Sequence, residues 1–307
     1  MQGLRVVAPG KMLLTGSYAV LEGAPALVCA VDLWAVAREA SAGTVSAEVA
    51  AAFGTEVAPS VDVSALSRGG KKLGLGGSAA AVVAALGYRA ASRGEDLRSV
   101  PVRDAIFRDA RGAHASVQGG GSGVDIAASV YGGVLRYSLE AGRPSVAPVA
   151  LPRGLRFDAY WSGQSARTSE MRARVDALEA RDPVAFGARM RDLTAAAVAA
   201  VSAMEAGAAP AFLEAARSSE RALTALGRDA DAPIVIPQAR ALVLVAEEEG
   251  AAFVPSGAGG GDVFVRFGLG PSSRFDAAGR AAGFEKLELS LDVLGVRMEP
   301  GLGEPSA

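Results

Sequence analysis

The residues best suited to chemistry stand in a glycine-rich turn in the first third of the chain. Gly74, Gly76 and Gly77 precede Ser78, and an apolar stretch rich in alanine and valine follows. Glycines let a backbone pass close to a ligand, and the start of a helix offers free N–H groups and the positive end of its dipole. The segment therefore suits an anion such as phosphate. It also fits a plain loop with Ser78 as N-cap, and it is neither a P-loop nor a G-x-G-x-x-G motif.

Two charged residues lie near other glycines. Lys11 follows Pro9-Gly10, where a short strand is predicted to turn, and Asp125 follows Gly123 near the start of an apolar helix. A lysine is a compact positive charge that can neutralise a phosphate, and a carboxylate can orient or deprotonate an attacking group. Each also has an ordinary explanation, Lys11 as a surface residue of a hairpin and Asp125 as a first-turn acid stabilised by the helix dipole.

A third glycine-rich segment, Ser256–Asp262, lies between two β-rich runs. Four of the five residues 257–261 are glycines, and so many glycines cost backbone entropy that a plain hairpin explains them poorly. Close approach of this backbone to another backbone or to a phosphate explains them better. Asp262 is interpreted as a residue that fixes the turn.

The composition narrows the classes of function. The chain has 307 residues, and its 31 basic and 33 acidic side chains give a net charge of −2, without the basic excess of a typical nucleic-acid binder. The single cysteine, Cys29, excludes a disulfide within the chain and a multi-cysteine zinc site. The single histidine, His114, excludes a paired-histidine metal motif. Proton transfer must therefore fall mainly to carboxylates and lysines.

The hydropathy pattern argues against a membrane protein. No stretch reaches the length of apolar sequence that a membrane span needs. The first residues also lack the apolar core of a signal peptide. We therefore expect a cytoplasmic location.

A change of pattern near residues 150–155 predicts an N-terminal domain over residues 1–153 and a C-terminal domain over 154–307. The weakly patterned segment 44–63 is predicted as strand and loop. Helices are predicted in the first domain at Ser78–Arg93, Val102–Val117 and from Ser122 to just before Gly132. In the second domain a strand at Leu155–Trp161 is predicted to precede helices at Thr168–Glu179, Pro183–Glu205, Pro210–Leu226 and Pro237–Glu249.

Together, in this order and spacing, the three glycine-bearing segments resemble the motifs of the GHMP kinase superfamily, named for galactokinase and the homoserine, mevalonate and phosphomevalonate kinases. Residues 8–23 are similar to its first motif, residues 74–80 to its phosphate loop and residues 256–262 to its third motif. The resemblance covers nearly the whole chain. It implies an α+β fold, in which a ribosomal-S5-like N-terminal domain with a left-handed βαβ crossover joins a ferredoxin-like C-terminal domain, and ATP and substrate meet in the cleft between them.

The resemblance also implies an activity and a set of site residues. The activity is phosphoryl transfer from ATP, with Mg²⁺, to a small molecule, by a monomer or homodimer without nucleic-acid or membrane partners. Lys11 and Asp125 would be catalytic, and Ser78 would bind the metal. ATP would be bound by Lys72, Gly74, Leu75, Gly76, Gly77, Ser78 and Ala79. The substrate would be bound by Lys11, Ser17, Tyr18, His114, Gln118, Ser122, Gly123, Ser165, Arg167, Thr168 and Gly259.

Three stretches are similar to the phosphomevalonate kinase branch of the superfamily, namely Lys72–Gly76, Ala113–Gly133 and Trp161–Thr168. That branch converts 5-phosphomevalonate to 5-diphosphomevalonate in the mevalonate pathway of isoprenoid synthesis. Mevalonate kinase or another small-molecule or sugar-phosphate kinase of the superfamily is the nearest alternative. A diphosphomevalonate decarboxylase is disfavoured because the loop resembles the kinase type. A non-catalytic nucleotide-binding relative is disfavoured because Lys11 and Asp125 are both present.

Three residues depart from the pattern of the superfamily. Ser17 stands where the first motif usually has a glutamate, and Gly77 replaces the first of two serines in the phosphate loop. His114 falls about where the mevalonate kinase branch has a magnesium-binding glutamate. The last departure fits the phosphomevalonate branch and leaves metal coordination to Ser78 and the nucleotide's phosphates.

Overall fold

The computed structural model describes residues 3–41, 44–165 and 167–299. Its strands in these ranges are β1 (Val6–Thr15), β2 (Ala26–Arg38), β3 (Ser60–Asp62), β4 (Ser67–Arg68), β5 (Lys71–Lys72), β6 (Val134–Glu140), β7 (Arg143–Pro148), β8 (Arg156–Trp161), β9 (Ala252–Pro255), β10 (Val263–Gly268), β11 (Glu285–Leu287) and β12 (Arg297–Met298). Its α-helices are α1 (Ala47–Phe53), α2 (Gly77–Ser92), α3 (Val100–Gln118), α4 (Val124–Tyr131), α5 (Thr168–Arg181), α6 (Pro183–Glu205), α7 (Ala209–Asp229), α8 (Pro237–Glu248) and α9 (Ser273–Ala281).

One antiparallel sheet has the strand order β12-β1-β2-β6-β7, and β3 pairs with the end of β2. Helices α2 and α4 pack against its two long strands. The alanines of α2 are mostly buried and let the helix approach the sheet closely. At Gly87 an added Cβ would lie 2.7 Å from Val296 and 3.0 Å from Val6. The close packing fixes α2 beside β1, the strand that carries Lys11.

A second antiparallel sheet has the order β11-β8-β10-β9. Along the chain its elements follow as strand, helices, two strands, helix and strand, which is the β-α-β-β-α-β order of a ferredoxin-like unit. Its core contains aromatic rings that meet mostly edge to face, from Tyr160, Phe253, Phe264, Phe275 and Phe284. Such pairs stabilise a core beyond their buried area. The expected α+β class is confirmed.

Contacts of β12 and of the β4–β5 hairpin are among those that join the halves of the chain. Strand β12 returns to the first sheet, where Met298 pairs with Val6. The hairpin of β4 and β5 reaches the second half, because Lys71 Nζ donates a hydrogen bond to Gly163 O at 3.1 Å and Arg68 pairs with Glu285. This hairpin leads directly into the loop at Gly74, so the loop is anchored to both sheets. The division of the chain at residues 153 and 154 stays a prediction.

Two predicted segments differ from the structure. Pro9-Gly10-Lys11 is not a turn but lies inside β1, where the register shifts between Pro9 and Gly10. A bulge of this kind accepts a proline, which has no N–H for the ladder. Segment 44–63, predicted as strand and loop, contains helix α1. Its N-cap is Ser46, whose hydroxyl accepts a hydrogen bond from Val49 N–H at 3.3 Å, and its alanines favour a helix.

Among the described residues, no helix combines the length and the apolar character that crossing a bilayer requires.

Cys29 provides a test of the packing between β1 and β2. It pairs with Met12 across the two strands and is fully buried. Burial raises the pKa of the Cys29 thiol to about 12, against smaller opposing effects of a hydrogen bond from the Met12 backbone and the charge of Lys11. Because the thiolate is the reactive form, we expect no reaction of the folded protein with a thiol reagent at pH about 8, close to the ordinary thiol pKa. Unfolding should release one reactive thiol per chain, whereas rapid labelling of the folded protein would contradict this packing.

Candidate active site

Lys11 connects the first two glycine-bearing segments. Its N–H donates a hydrogen bond to Leu75 O at 2.9 Å, and its Nζ lies 3.4 Å from Gly74 O, to which it donates. A Cβ added at Gly76 would lie 2.9 Å from Lys11 Cγ. The stem of the lysine therefore passes directly over Gly76, and only a residue without a side chain leaves room for it.

The glycine loop ends at the N-terminus of α2. Gly74 and Gly76 have φ angles of +81° and +74°, a region that L side chains rarely adopt. Gly76 is the N-cap of α2, and the first hydrogen bond of the helix runs from Ala80 N–H to Gly76 O at 2.9 Å. The N–H groups of residues 77–79 thus precede the helical ladder and are oriented toward the loop. Together with the helix dipole they form an anion-binding arrangement.

The third glycine-rich segment, Ser256–Asp262, contacts the first segment by two hydrogen bonds. The Ser256 hydroxyl accepts a hydrogen bond from Leu13 N–H at 2.9 Å, and the Tyr18 hydroxyl donates to Ala258 O at 2.6 Å. A Cβ added at Gly257 would lie 3.9 Å from Lys11 Nζ. The Nζ of Lys11 is therefore near both the phosphate-type loop and the third segment. Burial raises the pKa of the Tyr18 phenol, and the negative charge of Asp176 adds to this effect.

Asp262 is the residue of the third segment that touches the glycine loop. A Cβ added at Gly74 would lie 2.4 Å from Asp262 Cβ and 2.7 Å from its Oδ2. The backbone of Asp262 is itself fixed, because its N–H donates to Gln164 O at 2.9 Å and its carbonyl accepts from Ser162 N–H at 3.0 Å. The sequence predicted close approach of this segment to another backbone or to a phosphate, and the structure shows it in close contact with the backbone at Gly74.

Asp125 lies in the first turn of α4, which packs against β1. One turn later, the Ser129 hydroxyl donates a hydrogen bond to Pro9 O at 2.7 Å. Residues four apart share a face of a helix, so Asp125 is on the side of α4 that faces the strand of Lys11. His114 Nε2 is 3.9 Å from Asp125 Oδ2, and the Asp125 side chain keeps 22% exposure. A carboxylate in this position is held in place yet accessible to a substrate.

Glu48, in α1, is a site residue that the sequence interpretation missed. It is 5% exposed, and its Oε1 accepts a hydrogen bond from Gln118 Nε2 at 2.8 Å. Burial by itself raises the pKa of Glu48. Hydrogen bonds from its own backbone N–H and from the side chains of Gln118, Ser46 and Ser78 outweigh burial and hold the pKa below its usual value. The signal in the sequence was the run Ser46 to Phe53, an N-cap followed by helix-forming residues.

The other predicted substrate residues range from buried to exposed positions. Ser17 is buried beside Tyr18, and Gly259 packs so tightly on Ile234 that an added Cβ would lie 2.2 Å from its carbonyl oxygen. Ser122 and Gly123 lead into α4, and the Ser122 hydroxyl accepts from Val124 N–H at 3.4 Å. Further out are four exposed residues on the hairpin and at the start of α5: Lys72, Ser165, Arg167 and Thr168.

The acidic side chains and hydroxyls near the loop decide whether the site fits a divalent metal. Within the described residues no group of three or more His, Cys, Asp and Glu side chains could hold a metal ion. Mg²⁺ needs few protein ligands when phosphate oxygens and water supply the rest. The Ser78 hydroxyl at the loop and the Glu48 carboxylate beside it are oxygen donors of the kind that Mg²⁺ prefers. The residues present therefore fit a magnesium ion that arrives with a nucleotide.

Comparison with known proteins agrees with this geometry. No family model matches the chain. The phosphomevalonate kinase of Streptomyces sp. (strain CL190) is 28% identical, over 83% of this chain and 87% of the relative. Phosphomevalonate kinase of Streptococcus pneumoniae, solved in complex with phosphomevalonate and AMPPNP, superposes with a TM-score of 0.77 at 21% identity, over 94% of this chain and 99% of that one. The Lin0012 protein of Listeria innocua superposes with a TM-score of 0.83 at 20% identity, over 98% of this chain and 100% of that one.

Solved mevalonate kinase, galactokinase and homoserine kinase structures share the same fold. In its fold and in the arrangement of its three glycine segments, the chain resembles the GHMP kinases. The relatives named above further show that it resembles phosphomevalonate kinase in sequence as well as in structure.

The contact between Gly74 and Asp262 can be tested by a matched pair of variants. Gly74 and Gly70 have similar φ angles, +81° and +76°, but an added Cβ at Gly70 meets nothing within 4 Å. Gly70→Ala should therefore be destabilised only by the strain of the left-handed conformation, about 1–2 kcal/mol. Gly74→Ala adds a clash with Asp262, and overpacking typically costs about 1–3 kcal/mol more. Equal free energies of unfolding for the two variants, measured with denaturant, would contradict the contact.

Proposed function

We propose that this chain is an ATP-dependent kinase that converts 5-phosphomevalonate to 5-diphosphomevalonate. The observation that supports this most directly is the course of Lys11, whose side chain lies over Gly76 and ends near Gly74 O and Gly257. Phosphoryl transfer needs positioning and charge neutralisation more than covalent chemistry, and a lysine between two glycine-rich segments is suited to both. The similarity of the chain to a Streptomyces phosphomevalonate kinase supports the choice of acceptor.

The nucleotide end of the site would be the loop and the start of α2. The N–H groups of residues 77–79 would bind the phosphates of ATP, as the helix dipole favours negative charge there. The residues lining this end are Lys72, Gly74, Leu75, Gly76, Gly77, Ser78 and Ala79. Lys11 Nζ would leave Gly74 O and neutralise charge on the transferred phosphoryl group. Mg²⁺, bound through Ser78, would neutralise the remaining phosphate charge.

Asp125 would act on the acceptor. A phosphate monoester is already largely ionised near neutral pH, since its second pKa is about 6. The attacking oxygen of phosphomevalonate therefore needs little deprotonation, and the larger task of Asp125 is to orient it. His114, 3.9 Å from the Asp125 carboxylate, would keep that carboxylate in position and would contact the negatively charged phosphate of the substrate. Orientation of this kind can supply a large part of a rate enhancement.

The acceptor end of the site would be completed by the exposed residues around β8 and α5. Arg167 forms an ion pair with Glu170 at 3.1 Å, and the Arg167 side chain is 79% exposed. An exposed pair of this kind contributes about 0–1 kcal/mol, so Arg167 can exchange Glu170 for a substrate phosphate at small cost. Ser165 and Thr168 would add hydroxyl donors, and Gln118, Ser122, Gly123, Ser17, Tyr18 and Gly259 would shape the pocket.

A substrate panel tests the proposed reaction. We expect ADP formation from ATP to depend on 5-phosphomevalonate, with much lower rates for mevalonate and for sugar phosphates, because the site would bind a phosphate on the acceptor. Release of carbon dioxide is expected from none of them. ADP formation with mevalonate or a sugar phosphate instead would identify another kinase of this fold, and no ADP with any acceptor would indicate a non-catalytic nucleotide-binding protein.

Two variants test the proposed catalytic residues. Lys11→Met and Asp125→Asn should each lower turnover by roughly 10²–10⁴-fold, the usual range for loss of one charged catalytic group, while thermal unfolding stays near that of the wild type. Asp109→Asn is a matched control, because Asp109 is a half-exposed acid of α3 that pairs with Arg89 on the surface. Wild-type turnover in either site variant would remove that residue from the mechanism.

A further inference from the structure

The connection between α3 and α4 contains glycines that no other part of the chain packs against. Gly119, Gly120 and Gly121 have φ angles of +71°, +115° and +142°, and a Cβ added at any of them would meet nothing within 4 Å. Glycine adopts such angles readily, but it also adopts many others. This run therefore does not fix by itself where α4 begins. Asp125 stands in the first turn of α4, so its position depends on contacts from other elements.

The later part of α4 is held by β1 and by the segment before β12. The Ser129 hydroxyl donates a hydrogen bond to Pro9 O at 2.7 Å, and Val296 N–H donates to Val130 O at 3.2 Å. Both contacts lie at least one turn beyond Asp125. They fix the end of the helix, and the first turn needs a contact of its own.

Arg111 of α3 supplies a contact at the first turn. A Cβ added at Gly123, the N-cap of α4, would lie 3.1 Å from Arg111 Cδ and 3.2 Å from its Cγ. Its Nη2 donates a hydrogen bond at 3.0 Å to Gly142 O, in the turn between β6 and β7. An arginine stem packs much as an apolar side chain does. Here it packs on the residue whose carbonyl starts the helix, because Ala127 N–H donates to Gly123 O at 3.0 Å.

The surroundings of this contact link it to the Asp125 carboxylate. The Tyr137 hydroxyl of β6 donates to Ser122 O, directly before the N-cap. On α3, His114 follows Arg111 by three residues and so shares its face of the helix. His114 Nε2 lies 3.9 Å from Asp125 Oδ2. One face of α3 thus contacts both the N-cap of α4 and the acid of its first turn, and a shift of the N-cap would move that acid.

We propose that Arg111 is a positioning residue that holds the first turn of α4 and thereby sets the place of the Asp125 carboxylate. The proposal rests on the proposed function, in which Asp125 orients the acceptor. The stem of Arg111 carries the effect, because Cγ and Cδ are the atoms that lie on Gly123 while the guanidinium binds a backbone oxygen. A misplacement of about 1 Å in an active site can cost about 10²-fold in rate.

Three substitutions of Arg111 separate its stem from its charge. Arg111→Ala removes the stem and should lower kcat roughly 10–100-fold, while the KM for MgATP stays near the wild-type value because the nucleotide would bind at α2. Arg111→Met and Arg111→Lys keep an unbranched stem and should retain most of the turnover. Wild-type rates in Arg111→Lys with equal losses in the other two would indicate a direct contact of the charge with substrate and overturn the proposal. Arg108→Ala, at a residue of α3 with 74% side-chain exposure, is the matched control and should behave as the wild type.

A double variant separates positioning from a general effect on the fold. In an Asp125→Asn background, Arg111→Ala should cause no further loss of kcat, because both changes remove the same function. A residue that only stabilised the fold would lower the rate independently of Asp125. Losses that multiply in the double variant therefore overturn the proposal.

A matched pair of glycine variants disturbs the same contact if Arg111→Ala does not fold. Gly123→Ala would place its Cβ against the Arg111 stem, whereas Gly119→Ala has a similar φ angle, +71° against +79°, and meets nothing within 4 Å. Both variants carry the strain of a left-handed residue. Gly123→Ala should lose roughly tenfold more turnover than Gly119→Ala, and equal turnover in the two contradicts a role for the contact.

Hydrogen exchange of the Ala127 amide, measured by NMR, tests the contact without any substrate. It should be roughly tenfold faster in Arg111→Ala than in the wild type or in Arg108→Ala, because the first turn opens more easily. Unchanged exchange overturns the contact, and faster exchange with wild-type turnover overturns its effect on Asp125. A wild-type protein that forms no ADP with any acceptor contradicts the proposed function, and the exchange rate still decides whether Arg111 holds the first turn of α4.

Discussion

The site depends on one backbone hydrogen bond, from Lys11 N–H to Leu75 O. It fixes the glycine loop to the central part of β1, which the sheet and the helices above it hold rigidly. Once the loop is fixed there, the stem of Lys11 must cross Gly76, and the side chain of Asp262 must lie on Gly74. The glycines are therefore required by neighbours from distant parts of the chain as well as by their own φ angles. Lys11 and Gly74 are 63 residues apart, and Leu13 and Ser256 are 243 apart.

The sequence predicted the parts of the structure that are controlled locally. Helix α6 has the predicted bounds, and α2 begins one residue earlier than predicted, because an apolar period and a glycine turn suffice to define them. The turn predicted at Pro9-Gly10-Lys11 was wrong. A Pro-Gly pair favours a turn, but here pairing with β2 makes it a bulge within a strand. Helix α1 was missed because seven residues give too short a period to recognise. Glu48 was missed with it, because its hydrogen bond from Gln118 joins residues 70 apart in the chain.

The two ends of the proposed site differ in how they are built. The proposed nucleotide end consists mainly of buried and half-buried residues of a packed glycine loop, whereas residues proposed for the acceptor, such as Ser165 and Arg167, are exposed on a connection between β8 and α5. Exposed connections tolerate substitution that a packed loop does not. Solved galactokinase and homoserine kinase structures share the fold at 14% and 15% identity, so the fold itself tolerates wide variation in sequence. Lys71 Nζ donates a hydrogen bond to Gly163 O next to that connection, so a direct contact joins the proposed acceptor end to the hairpin that leads into the glycine loop.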